Sequence, residues 1–204
     1  MVDLLLYSLP IKSSIRNYEV FFSKSIFESF EAELKPDDVI FVDRKVFGYL
    51  NKNVQQLITA NKHIFIDATE KQKSYTALTP IIGELIESGF RKNNRLIAIG
   101  GGITQDITAF IASMMYRGVT WLFFPTTLLA QADSCIGGKT SINIGKYKNQ
   151  LGNFYPPMKI FIILKLVKTL PELDFKSGMG EMLHFYLVSS EEDYEFYQQH
   201  YDSA

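Results

Sequence analysis

The sequence of 204 residues contains only one cysteine, Cys135. A single cysteine excludes an internal disulfide framework and is typical of proteins in a reducing compartment, so we expect a cytoplasmic protein. No base lies near Cys135 in the sequence to activate it as a nucleophile. We therefore interpret it as a small buried residue.

The sequence also lacks an excess of charge of one sign. Its 21 Lys and Arg balance 22 Asp and Glu, which leaves a formal net charge of −1. Without a basic surplus the chain has little with which to neutralise a phosphate backbone, so nucleic acid is not an expected partner. An anionic ligand would have to be held by a local cluster of cations and backbone amides.

Long hydrophobic runs are missing as well. The stretch Ile160–Val167 is interrupted by Lys165 and is far too short to span a bilayer. The apolar segment Met1–Pro10 has no basic flank and contains Asp3, so we expect a strand there rather than a signal peptide. No membrane partner is expected.

Short β-branched and aromatic runs alternate with segments of helical period, and 47% of the residues are apolar. Uninterrupted apolar runs such as Val39–Val42 are typical of strands buried on both faces, which predicts a Rossmann-like, doubly wound α/β sheet. The predicted strands are Leu4–Leu9, Tyr18–Ser23, Val39–Asp43, His63–Asp67, Arg95–Gly100, Trp121–Pro125 and Lys159–Leu164. The clearest predicted helices are Ser74–Phe90, Thr104–Tyr116, Gly178–Ser190 and Glu191–Asp202.

Two of these helices carry specific packing expectations. Ser74 is placed to cap the first of them. The expected buried face of that helix is Tyr75, Leu78, Ile82, Leu85 and Ile86. In the second helix, we interpret the stripe of Ile107, Phe110, Ile111, Met114 and Met115 as core packing.

The character of the chain changes after Leu164. We predict an α/β domain over residues 1–164 and the beginning of a helical domain over residues 165–204, with Lys165–Leu173 as a connecting stretch. The last predicted helix carries four aromatic residues, Tyr194, Phe196, Tyr197 and Tyr201. Exposing so much aromatic surface to water is unfavourable, which favours a homodimer.

Three consecutive glycines, Gly100–Gly102, lie where a predicted strand runs into a helix. Glycine lets the backbone approach a diphosphate closely, and the helix N-terminus offers free N–H groups. The spacing is not G-x-G-x-x-G, so a tight turn that needs positive φ remains an alternative. Asp106 in the first turn is stabilised by the helix dipole and could also accept a hydrogen bond from a ligand hydroxyl.

Polar residues are concentrated in two further segments. Glu70 and Lys73 follow a strand, and they could contact a ribose or belong to a solvated turn. The segment from Pro125 to Asn149 is richer, with hydroxyls, amides and lysines around the pair Gly137-Gly138. In a chain of balanced charge, such a concentration favours a polyhydroxylated ligand that carries phosphate or carboxylate.

Glu181 and His184 lie one helical turn apart. A Glu-x-x-His pair can supply two ligands to a metal ion, and a surface or core-rim contact is the alternative.

Read in order, these motifs resemble 3-dehydroquinate synthase and its sugar-phosphate cyclase relatives. The resemblance rests on the segments Gly100–Asp106, Arg117–Val119, Pro125–Ser134, Gly137–Asn143, Lys148–Phe154 and Gly178–Glu181. It implies NAD in an α/β N-terminal domain, Zn²⁺ in a helical C-terminal domain, and a sugar phosphate in the cleft between them. The implied reaction converts a heptulosonate phosphate to 3-dehydroquinate and phosphate by transient oxidation, phosphate elimination, re-reduction, ring opening and aldol closure.

The resemblance also implies roles for individual residues. The implied NAD contacts are Glu70, Lys73, Gly101, Gly102, Asp106, Thr126 and Thr127. The implied catalytic, substrate-side residues are Asp133, Lys139, Lys148 and Asn149, and Glu181 matches the first zinc ligand.

Two departures from the family pattern matter. His184 stands where the family has lysine, which leaves open a related cyclase with another sugar substrate. No motif in the sequence matches the family's two histidine zinc ligands, so we expect the 204 residues alone to be inactive. The alternatives are an NAD-dependent polyol or glycerol-phosphate dehydrogenase, and a non-catalytic NAD-binding fragment.

Overall fold

The computed structural model describes residues 5–201, in which nine strands form two sheets. The strands are β1 Leu5–Ile11, β2 Tyr18–Ser23, β3 Val39–Asp43, β4 His63–Ile66, β5 Leu96–Gly100, β6 Trp121–Pro125, β7 Lys139–Ile144, β8 Tyr147–Phe154 and β9 Lys159–Ile162. The large sheet has the order β1-β2-β9-β6-β5-β3-β4, and β7 and β8 form a separate antiparallel hairpin. All neighbours in the large sheet are parallel except β1 and β2.

The helices are α1 Ile26–Glu33, α2 Arg44–Tyr49, α3 Lys52–Thr59, α4 Tyr75–Glu87, α5 Gly102–Met114, α6 Glu172–Ser189 and α7 Glu191–Tyr201. 3₁₀ segments cover Met115–Arg117 and Leu164–Thr169, and Ala130–Ser134 has π-helical hydrogen bonding. All seven predicted strands and all four predicted helices are present, and most ends shift by a few residues. Helix α6, however, begins at Glu172, six residues before the predicted start at Gly178 and within the predicted connecting stretch Lys165–Leu173. Leu4 and Asp202, the predicted outer limits, lie outside the described residues.

Alternate residues of the central strands enter two separate cores. Phe41 belongs to the core beneath α4 and α5, whereas its neighbour Ile40 belongs to the core beneath α1 and α3. The sheet is therefore covered by helices on both faces, which confirms the doubly wound α/β prediction.

Some packing expectations were wrong. Met115 is buried, but Met114 is 58% exposed, because α5 ends there and the chain turns away with an extended Met115. In α4 the buried face is Leu78, Ile81 and Leu85, so Tyr75 and Ile86 face outward. Ser74 precedes α4 as predicted, but its hydroxyl donates to the Lys71 carbonyl instead of capping the helix.

Helix α6 packs closely at Gly178 against the segment that follows β6. A Cβ there would lie 2.7 Å from the Leu128 Cβ and 2.9 Å from the Leu129 backbone nitrogen. Glycine is therefore required for α6 to dock on the segment that follows β6.

This contact yields a paired prediction. Gly178→Ala should lower the free energy of unfolding by about 1–3 kcal/mol, because the methyl group overpacks the contact. Gly180 lies in the same helix with nothing within 4 Å of its Cβ position, so Gly180→Ala should raise that free energy by roughly 1 kcal/mol. Urea unfolding of both variants measures the difference, and equal effects of the two substitutions would contradict the docking.

Within residues 5–201, no helix is both long enough and apolar enough to cross a membrane.

Candidate functional site

A polar pocket of about 170 Å³ lies at the carboxyl ends of the central strands. Ligand sites of doubly wound sheets lie at this edge. The pocket is enclosed by α5, the segment after β6 and the hairpin β7–β8. Its lining residues are Lys73, Gly102, Gln105, Asp106, Asp133, Ser134, Ile136, Lys139, Ser141 and Asn149.

The glycine triplet forms one wall of the pocket without using a left-handed backbone. None of Gly100, Gly101 and Gly102 has positive φ, so the alternative of a positive-φ turn is wrong. A Cβ on Gly100 would lie 2.6 Å from the Thr104 Oγ1, and one on Gly101 would lie 2.9 Å from the Thr127 Cγ2. The first two glycines therefore allow close packing of the turn against two threonines.

The N-terminus of α5 is open to a ligand. Its N-cap residue is Gly101, which has no side chain to cap the first N–H groups of the helix. The Oγ1 atoms of Thr104 and Thr126 are buried nearby without a hydrogen-bond partner among the described residues. Free N–H groups at the positive end of a helix dipole fit an anionic group such as a diphosphate.

Lys73 and Asp106 form a buried ion pair in the pocket. The Lys73 Nζ lies 2.5 Å from the Asp106 Oδ2 and donates to the Asn149 Oδ1 at 2.8 Å. The Ser141 N–H donates to the Asp106 Oδ1 at 3.1 Å. Burial nevertheless raises the pKa of the Asp106 carboxyl above its ordinary value, because desolvation outweighs the ion pair.

Glu70 belongs to a second network at the rim of the pocket. The Asn143 side chain donates to the Glu70 Oε2 at 2.9 Å, and this hydrogen bond, together with nearby Lys148 and Lys73, lowers the pKa of the Glu70 carboxyl. The Lys148 Nζ is 3.8 Å from the same oxygen and its side chain is 70% exposed. Lys148 is thus held loosely and can turn toward a ligand.

The hairpin β7–β8 was not predicted, although it carries Lys139, Lys148 and Asn149. The Asn143 N–H donates to the Lys73 carbonyl at 2.8 Å, which ties the hairpin to the segment before α4. The alternation of buried Thr140 and Ile142 with the more exposed Lys139 and Ser141 is a strand signal that the concentration of polar residues obscured.

The structure brings together most of the residues singled out from the sequence. Lys73, Gly102, Asp106, Asp133, Lys139 and Asn149 line the pocket, while Glu70 and Lys148 lie at its rim. Gly101, Thr126 and Thr127 form the adjoining strand ends, where the Thr126 N–H donates to the Gly100 carbonyl at 3.0 Å. Four further residues line the pocket and were not predicted from the sequence: Gln105, Ser134, Ile136 and Ser141.

Cys135 is buried beside the pocket segment, as predicted. Burial raises the pKa of its thiol to about 12, so the thiol stays protonated near neutral pH. This agrees with a packing role rather than a nucleophilic one.

Glu181 does not line the pocket. It is half-buried on α6, and His184, one turn further, is exposed with its ring 6.1 Å from that of Phe185. Across residues 5–201, no three His, Cys, Asp or Glu side chains are grouped so as to hold a metal ion. A catalytic zinc takes three protein ligands, so the described residues alone do not fit one.

The comparison of sequences is consistent with this geometry. The profile of the 3-dehydroquinate synthase N-terminal family matches residues 63–177, which is more than half of the chain. The 3-dehydroquinate synthase of Clostridium tetani is 34% identical over 177 residues, or 86% of this chain and 48% of that protein. The enzyme of the same name from Campylobacter concisus is 35% identical, over 91% of this chain and 53% of its own length. The chain thus spans about half the length of these relatives.

Solved structures show the same fold. 2-Epi-5-epi-valiolone synthase from Streptomyces hygroscopicus, with NAD⁺ and Zn²⁺ bound, has a TM-score of 0.82 at 24% identity, over 95% of this chain and 55% of that one. 2-Deoxy-scyllo-inosose synthase with carbaglucose-6-phosphate, NAD⁺ and Co²⁺ has a TM-score of 0.77 at 24% identity, over 91% and 52%. Glycerol dehydrogenase from Schizosaccharomyces pombe is less similar, with a TM-score of 0.57 at 20% identity, over 79% and 40%.

Proposed function

Because the chain belongs to the 3-dehydroquinate synthase family, we propose that it is the NAD-binding part of a sugar-phosphate cyclase. The reaction proposed is conversion of a heptulosonate phosphate to 3-dehydroquinate and phosphate, a step of the shikimate pathway. The observation that carries the proposal is the pocket between the uncapped N-terminus of α5 and the lysine-bearing hairpin.

The cofactor side of the pocket is the wall built by α5 and β6. We assign the diphosphate of NAD to the backbone N–H groups at Gly101 and Gly102, beside Thr126 and Thr127. Glu70, Lys73 and Asp106 supply the carboxylates and the ammonium group that would orient the ribose hydroxyls. When bound, NAD supplies the transient acceptance and return of a hydride.

The substrate side is the wall built by the segment after β6 and by the hairpin. Lys139 and Lys148 supply positive charge for the carboxylate and phosphate of the sugar, and Asn149 supplies an amide. Asp133 presents a carboxylate that can accept a hydrogen bond from a sugar hydroxyl or take up a proton. Holding both anionic groups of the substrate near the cofactor places the reacting carbon in a fixed orientation.

For the metal, Glu181 is the one ligand proposed on this chain. Since residues 5–201 do not assemble a further pair of ligands around it, we derive no step through a metal. For the same reason we expect the 204-residue chain to bind NAD without turnover.

The identity of the sugar depends on His184. The histidine side chain is shorter than that of the family's lysine and lacks its ammonium group on a long flexible stem, so it would not hold an anionic group as lysine does. A related cyclase with another sugar phosphate as substrate is therefore the second candidate. The structural neighbours favour a cyclase over a dehydrogenase, because the cyclases have TM-scores of 0.77–0.82 and the dehydrogenase 0.57.

We further propose that residues 1–164 form the NAD-binding domain and residues 165–204 begin a helical domain.

The single buried Cys135 is compatible with the cytoplasm. The exposed Phe196 and Tyr194 on α7 favour a homodimer.

Calorimetric titration of the chain with NAD tests this proposal. We expect one NAD to bind per chain, and no NADH to accumulate when glycerol or glycerol phosphate is added, because the 204-residue chain should bind NAD without turnover. Accumulation of NADH would identify a dehydrogenase. Absence of NAD binding would rule out the proposed function.

A further inference from the structure

Gln105 joins the two walls of the pocket by a reciprocal pair of hydrogen bonds. Its Nε2 donates to the Ser134 carbonyl at 2.5 Å, and the Ser134 hydroxyl donates to its Oε1 at 2.8 Å. Gln105 is only 4% exposed, so both polar atoms of its amide are buried and both are satisfied. The residue lies on α5, immediately before Asp106.

The partner of Gln105 lies in an unusual helical segment. The Cys135 N–H donates to the Ala130 carbonyl at 3.0 Å, five residues back, which makes Ala130–Ser134 a π-helical turn. Such turns occur mostly as single insertions and frequently at functional sites. The extra residue changes which side chains face the pocket, and here Asp133 and Ser134 line it.

The C-terminal end of this turn needs an external hydrogen-bond donor. The last carbonyls of a helix have no partner within the helix. The chain then leaves the helical path through Gly137 and Gly138, which both have positive φ. The Gln105 amide supplies such a hydrogen bond to the Ser134 carbonyl.

We propose that Gln105 is a positioning residue whose amide holds the π-helical turn against α5 and thereby fixes Asp133 and Ser134 on the pocket wall. Ser134 lies beside the start of α5, where the diphosphate of NAD is proposed to bind, because a Cβ on Gly102 would lie 3.8 Å from the Ser134 Oγ. The functional part of this inference rests on the proposed NAD site. Its structural part concerns only contacts within the chain.

Three substitutions separate the roles of the two hydrogen bonds. Gln105→Leu removes both of them. Gln105→Glu keeps the size of the side chain and its acceptor but loses the donor to the Ser134 carbonyl. Ser134→Ala removes the hydroxyl and keeps the carbonyl. We expect Gln105→Glu and Gln105→Leu to weaken NAD binding by about tenfold, and Ser134→Ala to weaken it clearly less.

The structural part is measured without any ligand. Cys135 is the only cysteine of the chain and is 1% exposed, so its rate of reaction with iodoacetamide reports opening of the turn. We expect that rate to rise about tenfold or more in Gln105→Leu and Gln105→Glu. Val54→Ala, in the core on the opposite face of the sheet, is the matched control for lower global stability. In Val54→Ala the rate of Cys135 labelling should rise only by the factor expected from its loss of unfolding free energy.

The outcomes distinguish this inference from the proposed function. If the unmodified chain fails to bind NAD, the proposed function is wrong, and labelling of Cys135 alone still decides whether the amide holds the turn. If the chain binds NAD and the Gln105 variants bind and label like the unmodified protein, the positioning role is wrong. Equal effects of Ser134→Ala and Gln105→Glu would also overturn it, because the carbonyl would then not be the contact that matters.

Discussion

Gly102→Asp should weaken NAD binding by about tenfold or more relative to Gly102→Asn, while both variants should fold as stably as the unmodified chain. Gly102 is the first residue of α5, its φ is not positive, and a Cβ there would make only an ordinary contact at 3.8 Å. A carboxylate at the start of a helix is favourable for the helix itself. It would, however, repel a diphosphate held by the same N–H groups, and one tenfold step corresponds to only about 1.4 kcal/mol.

Gly102→Asn is the matched control, because asparagine adds nearly the same bulk as aspartate but carries no negative charge. Calorimetric titration with NAD at low and high salt measures the effect, which should shrink as salt screens the repulsion. Thermal unfolding of both variants without NAD confirms that the turn is intact. Equal affinities of the aspartate and asparagine variants would mean that the diphosphate lies elsewhere.

Lys73→Met should lower the free energy of unfolding by about 3 kcal/mol at neutral pH, since it leaves a mostly buried carboxylate without its cation. Lys73 is 6% exposed, and its loss leaves Asp106 with only the Ser141 N–H at 3.1 Å among its described partners. Burial already raises the pKa of Asp106, and removal of Lys73 raises that pKa further. A carboxyl whose pKa is raised on folding destabilises the native state above that pKa and not below it. The deficit of Lys73→Met should therefore disappear as the pH falls through the pKa of Asp106.

The double variant Lys73→Met with Asp106→Asn provides the control, because the neutral amide needs no cation. It should recover most of the stability at neutral pH and show little pH dependence relative to Asp106→Asn alone. Urea unfolding at several pH values gives the four free energies of the cycle. A deficit of the same size at acidic and neutral pH would contradict the explanation, as would a double variant no more stable than Lys73→Met.

The sequence alone was sufficient for the strands of the large sheet, though not for their order, and for the family. The buried strands consist of uninterrupted apolar runs such as Val39–Val42, and a run of this kind has few other stable arrangements. The order of the glycine, threonine and lysine motifs was sufficient for the resemblance to sugar-phosphate cyclases. Both inferences depend only on which residues follow one another along the chain, and the sequence states that order directly.

Tertiary structure decided the arrangement of the site. The ion pair of Lys73 with Asp106 joins residues 33 positions apart by number, and its second partner, Asn149, comes from a hairpin that periodicity did not identify. The contact of Gln105 with Ser134 and the approach of α6 at Gly178 depend on how elements pack side by side. The outward orientation of Met114 follows from where α5 ends. Such features are set by packing and desolvation between distant segments, and a pattern of residue types along the chain does not specify them.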